Sequence, residues 1–235
     1  VIACFDADIL GAHPAHLRQA RDWATGRRSA AQGKMNRLYA VESAYSTTGS
    51  VADHRIATPS VKAGLLLQAV AAHLGVAGSH APESLNGLAT HAKHIADDLK
   101  AHPGHSIVVA GPQQPAQVHA LVHAINTALG NHGKTIRFTE EADPDRPTHV
   151  DAIKSLTERM AGGEVETLVI LGGNPAYDAP ADVRFADALG NVKTSIHLSD
   201  YRNETARNYH WPLPRAHYLA SWGDARPTDG KYSIQ

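Results

Sequence analysis

The sequence predicts an α/β fold made of two related Rossmann-like halves, with mostly parallel sheets and crossover helices. Short apolar runs alternate with longer helical patterns along the chain. Helical stretches end on glycine and restart after proline, as at Gly75, Gly130 and Pro115. A strand–loop–helix–strand–polar-loop unit recurs, weakly, in the first and last thirds.

Val1–Phe5 is read as a buried strand and Leu17 through Trp23 as a helix, with Leu38–Val41 as the next strand. Val61–Leu74 carries Leu65, Leu66, Ala69 and Val70 on a strongly apolar helix stopped by Gly75. A further helix is expected from Pro82 to about Ala101. His102-Pro103-Gly104 then breaks the chain and marks the expected boundary between residues 1–103 and 104–235. Beyond it the strands are Ile107–Ala110, Ile136–Phe138, Leu168–Leu171 and Ser195–Leu198. The helices are 115–129, 149–160 and 183–189, with an acidic loop at 140–147. In the repeat, Tyr45 through Pro59 corresponds to Tyr201 through Pro214, one residue shorter.

Composition narrows the function. With 43% apolar and 19% charged residues in 235, the chain can bury a sizeable core. A net charge of −1 argues against a nucleic-acid or anionic-lipid surface. No apolar run approaches the roughly 20 residues of a membrane span. The lone Cys4 cannot build an internal disulfide, an iron–sulfur cluster or a thiolate zinc site, and its place in a buried strand argues against a nucleophile. A chain that opens on a strand and closes on Tyr232-Ser233-Ile234-Gln235 is expected to be a piece of a larger protein.

The best local chemical signal is Leu171-Gly172-Gly173-Asn174-Pro175, at the carboxyl end of a strand and before a helix. Open α/β sheets bind ligands there, glycines let a phosphate approach the backbone, and a helix N-terminus adds positive potential. A tight strand-to-helix turn explains the same residues, and is favoured on spacing alone. Asp200, Glu204 and Thr205 follow the neighbouring strand and face the same crevice; Asn203 there also suits a helix cap. Of the 16 histidines, His119 and His123 share a helix face, as do His91 and His94. Neither pair has a third ligand, so solvated helix faces are expected and no metal site. Asp6 and Asp8 read as a hydrogen-bonded loop in preference to a cation site.

These residues, in order over nearly the whole chain, resemble the molybdopterin oxidoreductase family. A Gly-x-Asn-Pro loop (Gly172 to Pro175) is followed by an acidic residue (Asp200), Glu204-Thr205-Ala206, Leu213-Pro214 and Trp222-Gly223-Asp224. The first half offers Asp8 to Pro14, Thr48, Ala52-Asp53 and Pro59. Met35 to Tyr39, Ala52 to Arg55 and His217 to Arg226 look closest to one branch, the iron–sulfur B subunit of alternative complex III, a quinol:cytochrome c oxidoreductase. That resemblance implies a cofactor-free, non-catalytic scaffold, peripheral on the periplasmic face of the membrane. Its partners would be other domains of the parent chain and subunits of a respiratory complex. Asn208-Tyr209-His210-Trp211, where the family has Ala-Asp, agrees with a lost cofactor. The alternative implied by the family at large is the cofactor-binding part of an active enzyme. Gly172, Gly173, Asn174, Asp200, Glu204 and Thr205 would then hold a molybdopterin guanine dinucleotide. A free-standing small-molecule-binding α/β module is the third reading.

Overall fold

A computed structural model describes every residue except 86, 140–144, 226–231 and 235, and the side chain of Ser29. The chain is α/β and forms two compact units, Val1–Phe138 and Thr139–Gln235.

In the first unit β1 (Ile2–Phe5), α1 (His16–Arg27), β2 (Leu38–Glu42), α2 (Thr47–Val51), β3 (His54–Ala57), α3 (Ser60–Leu74), α4 (Ala89–Lys100), β4 (Ile107–Ala110) and α5 (Ala116–Ala128) follow in order. The parallel sheet runs β3-β2-β1-β4. Chain direction across the sheet reverses between β1 and β4, the position where such sheets open a crevice at the carboxyl ends of their strands. Alternate side chains point to opposite faces. Ala3, Phe5, Tyr39, Val41, Ile56 and Val108 join the main core with α3, α4 and α5. Cys4 and Leu38 face the other way, with Leu10 and the half-buried Ala20 and Trp23 of α1.

The second unit contains α6 (His149–Ala161), β5 (Thr167–Leu171), α7 (Pro175–Asp178), α8 (Phe185–Leu189), β6 (Thr194–Ser199), α9 (Glu204–Arg207), β7 (Trp211–Pro214), β8 (Asp224–Ala225) and β9 (Ser233–Ile234). Its parallel sheet runs β5-β6-β7, while β8 and β9 form a small antiparallel pair. Leu168 and the half-buried Ile170 pack with Met160, Phe185, Leu189 and Val192.

Several expectations are revised. The division falls after Phe138 and not after Pro103, because β4 pairs with β1 and belongs to the first sheet. Ile136–Phe138 makes one isolated bridge to His132 and no strand. The Asn131 carbonyl accepts the amides of Lys134, Thr135 and Ile136, and that turn withdraws them from any ladder. The helix expected from Pro82 starts at Ala89, since Gly87 at φ 88° cannot be helical. Arg184 at φ 54° likewise splits the helix expected over 183–189 into a 3-10 turn (Ala181–Val183) and α8. The acidic loop at 140–147 lies partly outside the described residues.

Both polar loops of the repeat conceal a parallel strand, β3 and β7. Pro212 and Pro214 are tolerated in β7 because it is an edge strand.

Candidate functional site

The Gly-Gly-Asn-Pro loop begins where β5 ends. The Gly172 amide still donates to the Leu198 carbonyl at 2.8 Å, completing the ladder with β6. Gly172 and Gly173 then take φ of 77° and 74°, a left-handed pair that side chains disfavour. This turn drops Asn174 onto the start of α9. Asn174 Oδ1 accepts from the Thr205 amide at 3.0 Å and the Thr205 hydroxyl at 2.7 Å, and Asn174 Nδ2 donates to Glu204 at 2.7 Å. Thr205 Oγ in turn accepts the Ala176 amide at 2.9 Å. The Gly173 carbonyl lies 3.2 Å from His197 Nε2 and accepts a longer bond, 3.4 Å, from Asn203 Nδ2. Asn203 also caps α9 by accepting the Ala206 amide at 2.9 Å.

Gly172, Gly173, Asn174, Glu204 and Thr205 therefore meet in one bonded cluster. Asp200 stands beside it, 3.8 Å from Arg215, with both side chains part exposed. Arg215 reaches over the loop: a Cβ on Gly172 would sit 3.0 Å from its Nη1. The hydrogen bond from Asn174 holds the Glu204 carboxyl below its ordinary range.

The helix that follows contributes little positive potential. α7 is a single turn, its first residue Pro175 has no N–H, and the next amide is taken by Thr205. Beneath the loop, His197 and Tyr209 are buried with ring centroids 5.3 Å apart. Burial pushes the Tyr209 phenol well above its ordinary value. Tyr209 is buried beside His197, whereas His210 and Trp211 are exposed.

The first unit carries the same construction, which sequence reading missed. Asp8 Oδ1 accepts the Thr48 amide at 3.0 Å and hydroxyl at 2.7 Å, and Thr48 Oγ accepts the Leu10 amide at 3.0 Å. Asp8, Thr48 and Leu10 thus reproduce Asn174, Thr205 and Ala176. Ladder positions correspond as well: Asp6 donates to Val41 as Gly172 does to Leu198, and Thr58 donates to Glu42 as Arg215 does to Ser199. At the other end of these strands, the Leu38 amide donates to Asp53 at 2.8 Å and the Ser195 amide to His210 Nδ1 at 3.2 Å. From Leu38 to Thr58 and from Ser195 to Arg215 the match has no insertion. Tyr45 accordingly stands with Arg202, one place from the Tyr201 that the sequence pairing had chosen. The signal available was the fixed spacing of Thr48 from Asp53 and of Thr205 from His210.

The crevice of the first unit, between β1 and β4, is filled by Asp6. Its carboxylate accepts from the Ser43 amide (3.1 Å), from Gln114 Nε2 (2.7 Å) and from the Ser60 hydroxyl. Its carbonyl accepts from Gln113 Nε2 at 2.8 Å. Asp6 and Asp8 form the hydrogen-bonded loop that the sequence favoured over a cation site.

No family model matches this chain, and no curated protein matches it.

Among the described residues no group of three or more His, Cys, Asp or Glu stands where it could hold a metal ion. His123 of α5 lies against the Phe138 ring, with centroids 5.9 Å apart. Among the same residues no helix is long and apolar enough to cross a membrane.

Proposed function

We propose that this chain is a non-catalytic, molybdopterin-oxidoreductase-like scaffold domain of a membrane-attached respiratory electron-transfer complex, peripheral on the periplasmic face. The observation that carries the reading is where the polar groups of the Gly172–Pro175 loop point. In a nucleotide site the side chains of Asn174, Glu204 and Thr205 would be turned toward the ligand. Here Asn174 and Thr205 satisfy each other and the Ala176 amide, and Glu204 is bonded to Asn174. A guanine or ribose would have to break those bonds before making its own, losing about as much as it gained. The donor set does not fit a molybdopterin guanine dinucleotide, and the turn is accounted for by strand-to-helix geometry alone. Asp8 and Thr48 build the same bracket in the first unit, where Asp6 fills the crevice. The bracket is a structural device used twice.

The cofactor-binding alternative draws support from one observation, the Arg215 guanidinium placed over Gly172, where an anion would gain a charge-assisted bond. Calorimetry with guanosine monophosphate separates the two. The scaffold reading expects affinity no better than the order of millimolar, equivalent to about 4 kcal/mol. Micromolar binding, abolished by Gly173→Val, would refute it in favour of the enzyme reading, as would stoichiometric molybdenum in the parent protein.

A further inference from the structure

Helix α1 lies across the first sheet from α3, α4 and α5, and none of its 12 residues is buried. Ala20 and Trp23 meet the sheet only as half-buried neighbours of Cys4 and Leu38. Between this helix and the sheet lies a cleft of about 480 Å³, floored by Ile2, Ile107 and Val109 and walled by Gln19, Trp23 and Asn36. Ile2 pairs with Ile107, and Val109 is two places further along β4, so the floor is one face of the sheet. Folded interiors are close-packed, and clefts of about 300–1,000 Å³ are the size class of small-molecule sites. The wall is unusual for a second reason. Among the described residues six buried side-chain polar atoms have no hydrogen-bond partner, and three of them, Gln19 Oε1, Trp23 Nε1 and Asn36 Oδ1, belong to this wall. Gln19 and Trp23 are one helical turn apart on α1 and share a face. The Asn36 amide nitrogen donates to the Trp23 carbonyl at 3.2 Å, which fixes the amide and leaves Oδ1 free. The Arg27 guanidinium, tied to Asp53 at 2.8 Å, lies 4.8 Å over the indole and holds it in place. Buried polar groups are normally paired, because an orphan loses its water and gains nothing in return.

We propose that this cleft binds a small, uncharged, flat heteroaromatic molecule that carries a lactam or carboxamide group. The complement follows from the atoms. The indole N–H requires an acceptor, and the Gln19 and Asn36 oxygens require N–H donors. A carbonyl beside an N–H supplies both, while the ring covers Ile2, Ile107 and Val109. Water would pair the three atoms but leave the apolar floor wet; an amphipathic molecule answers both. Among the described residues that line the cleft there is no Lys or Arg, and its titratable side chains are His13 and Asp22. Phosphates and carboxylates gain no charge-assisted bond from such a lining. A seated ligand also gives α1 the packing it lacks, since a helix of 12 residues is marginal without tertiary contacts. The site stands apart from the Gly172–Pro175 loop, which belongs to the other unit, so the inference does not depend on the scaffold reading.

The test is calorimetry and hydrogen exchange on the full-length parent protein, with the bicyclic aromatic lactam carbostyril as the probe. Carbostyril is expected to bind with a dissociation constant on the order of 100 μM. Its N-methyl derivative, one donor short, should bind about tenfold more weakly. Naphthoate, of similar size but anionic, should not bind measurably. Amides of α1 should exchange fast in the free protein and slow by about tenfold when carbostyril saturates the cleft. Trp23→Phe keeps an aromatic ring and deletes the N–H, and should weaken carbostyril binding about tenfold. Its melting temperature should not fall, because that N–H bonds to nothing in the free protein. No binding of carbostyril, equal binding of all three compounds, unchanged affinity in Trp23→Phe, or protection that spares α1 would each overturn the proposal. An α1 already protected in the free protein would overturn it too, by showing that another part of the protein fills the cleft.

Discussion

Removing the hydroxyl from the bracket threonines is the sharpest perturbation of the site, because it separates a structural role from a ligand-binding one. Thr205 is fully buried, and Thr205→Val conserves its shape while deleting the bonds to the Ala176 amide and Asn174 Oδ1. At about 1 kcal/mol for each neutral bond, the second unit should lose about 2 kcal/mol. Thr48→Val deletes the bond to the Leu10 amide and one to the Asp8 carboxylate. Hydrogen bonds to charged groups contribute about 1.5–3 kcal/mol, so the first unit should lose about 2.5–4 kcal/mol. Serine at either position keeps the hydroxyl and sacrifices one methyl, about 1 kcal/mol. Hydrogen exchange in a urea series, followed by mass spectrometry, reads the two units separately. Exchange at the Ala176 amide should accelerate in Thr205→Val and stay protected in Thr205→Ser. Equal losses for valine and serine, or an unchanged Ala176 amide, would sink the argument that the hydroxyl holds the loop.

Cys4 is buried in β1 and its thiol is pushed up to about 12 by desolvation, so it should ignore a disulfide reagent at pH 8 and react fully in denaturant. Gly111→Ala would place a Cβ 1.8 Å from the Asp6 carbonyl oxygen, and the backbone shift that follows should cost about 3 kcal/mol in an unfolding titration. Burial of Asp53 works to raise its pKa, but bonds from Arg27 and the Leu38 amide, both 2.8 Å, hold it below its ordinary 3.8. A depressed carboxylate stabilises above its unfolded pKa and loses that contribution as pH falls through the folded one. Melting temperature should therefore drop below about pH 4, and Asp53→Asn should flatten that drop.

Ile2–Phe5 was legible because a central strand carries an unbroken apolar run, and Ile107–Ala110 and Leu168–Leu171 were legible because they carry such runs although each lies at a sheet edge. The edge strands β3 and β7 were not. His54–Ala57 and Trp211–Pro214 have no such run, and their pairing is imposed by β2 and β6. The boundary was misplaced for a related reason: Pro103-Gly104 is a strong local break, but the ladder from β1 to β4 reaches across it. Asn174, Glu204 and Thr205 meet beyond the carboxyl ends of β5 and β6, as their places after neighbouring strands suggested, with Asp200 outside their hydrogen bonds. Their mutual bonds were invisible, since which way Asn174 and Thr205 point depends on tertiary geometry and not on spacing.

The two brackets together say what the loop is for. If the loop after β5 existed to hold a nucleotide, a unit without an open crevice would have no reason to build it. The first unit builds it with Asp6 in the left-handed position at φ 51°, stabilised by Ser60 and Gln114, in place of Gly172. A side chain in that conformation is tolerated there because its hydrogen bonds offset the strain. In the second unit glycine removes the strain and no carboxylate is needed to fill the gap. The room beneath is taken instead by His197 and Tyr209, which stand at the positions of Ala40 and Ala52. What the units share is a threonine hydroxyl tying a strand end to a short helix; what differs is the filler. A turn that tolerates either filler is set by the strand-to-helix connection, and a ligand is not required to explain it.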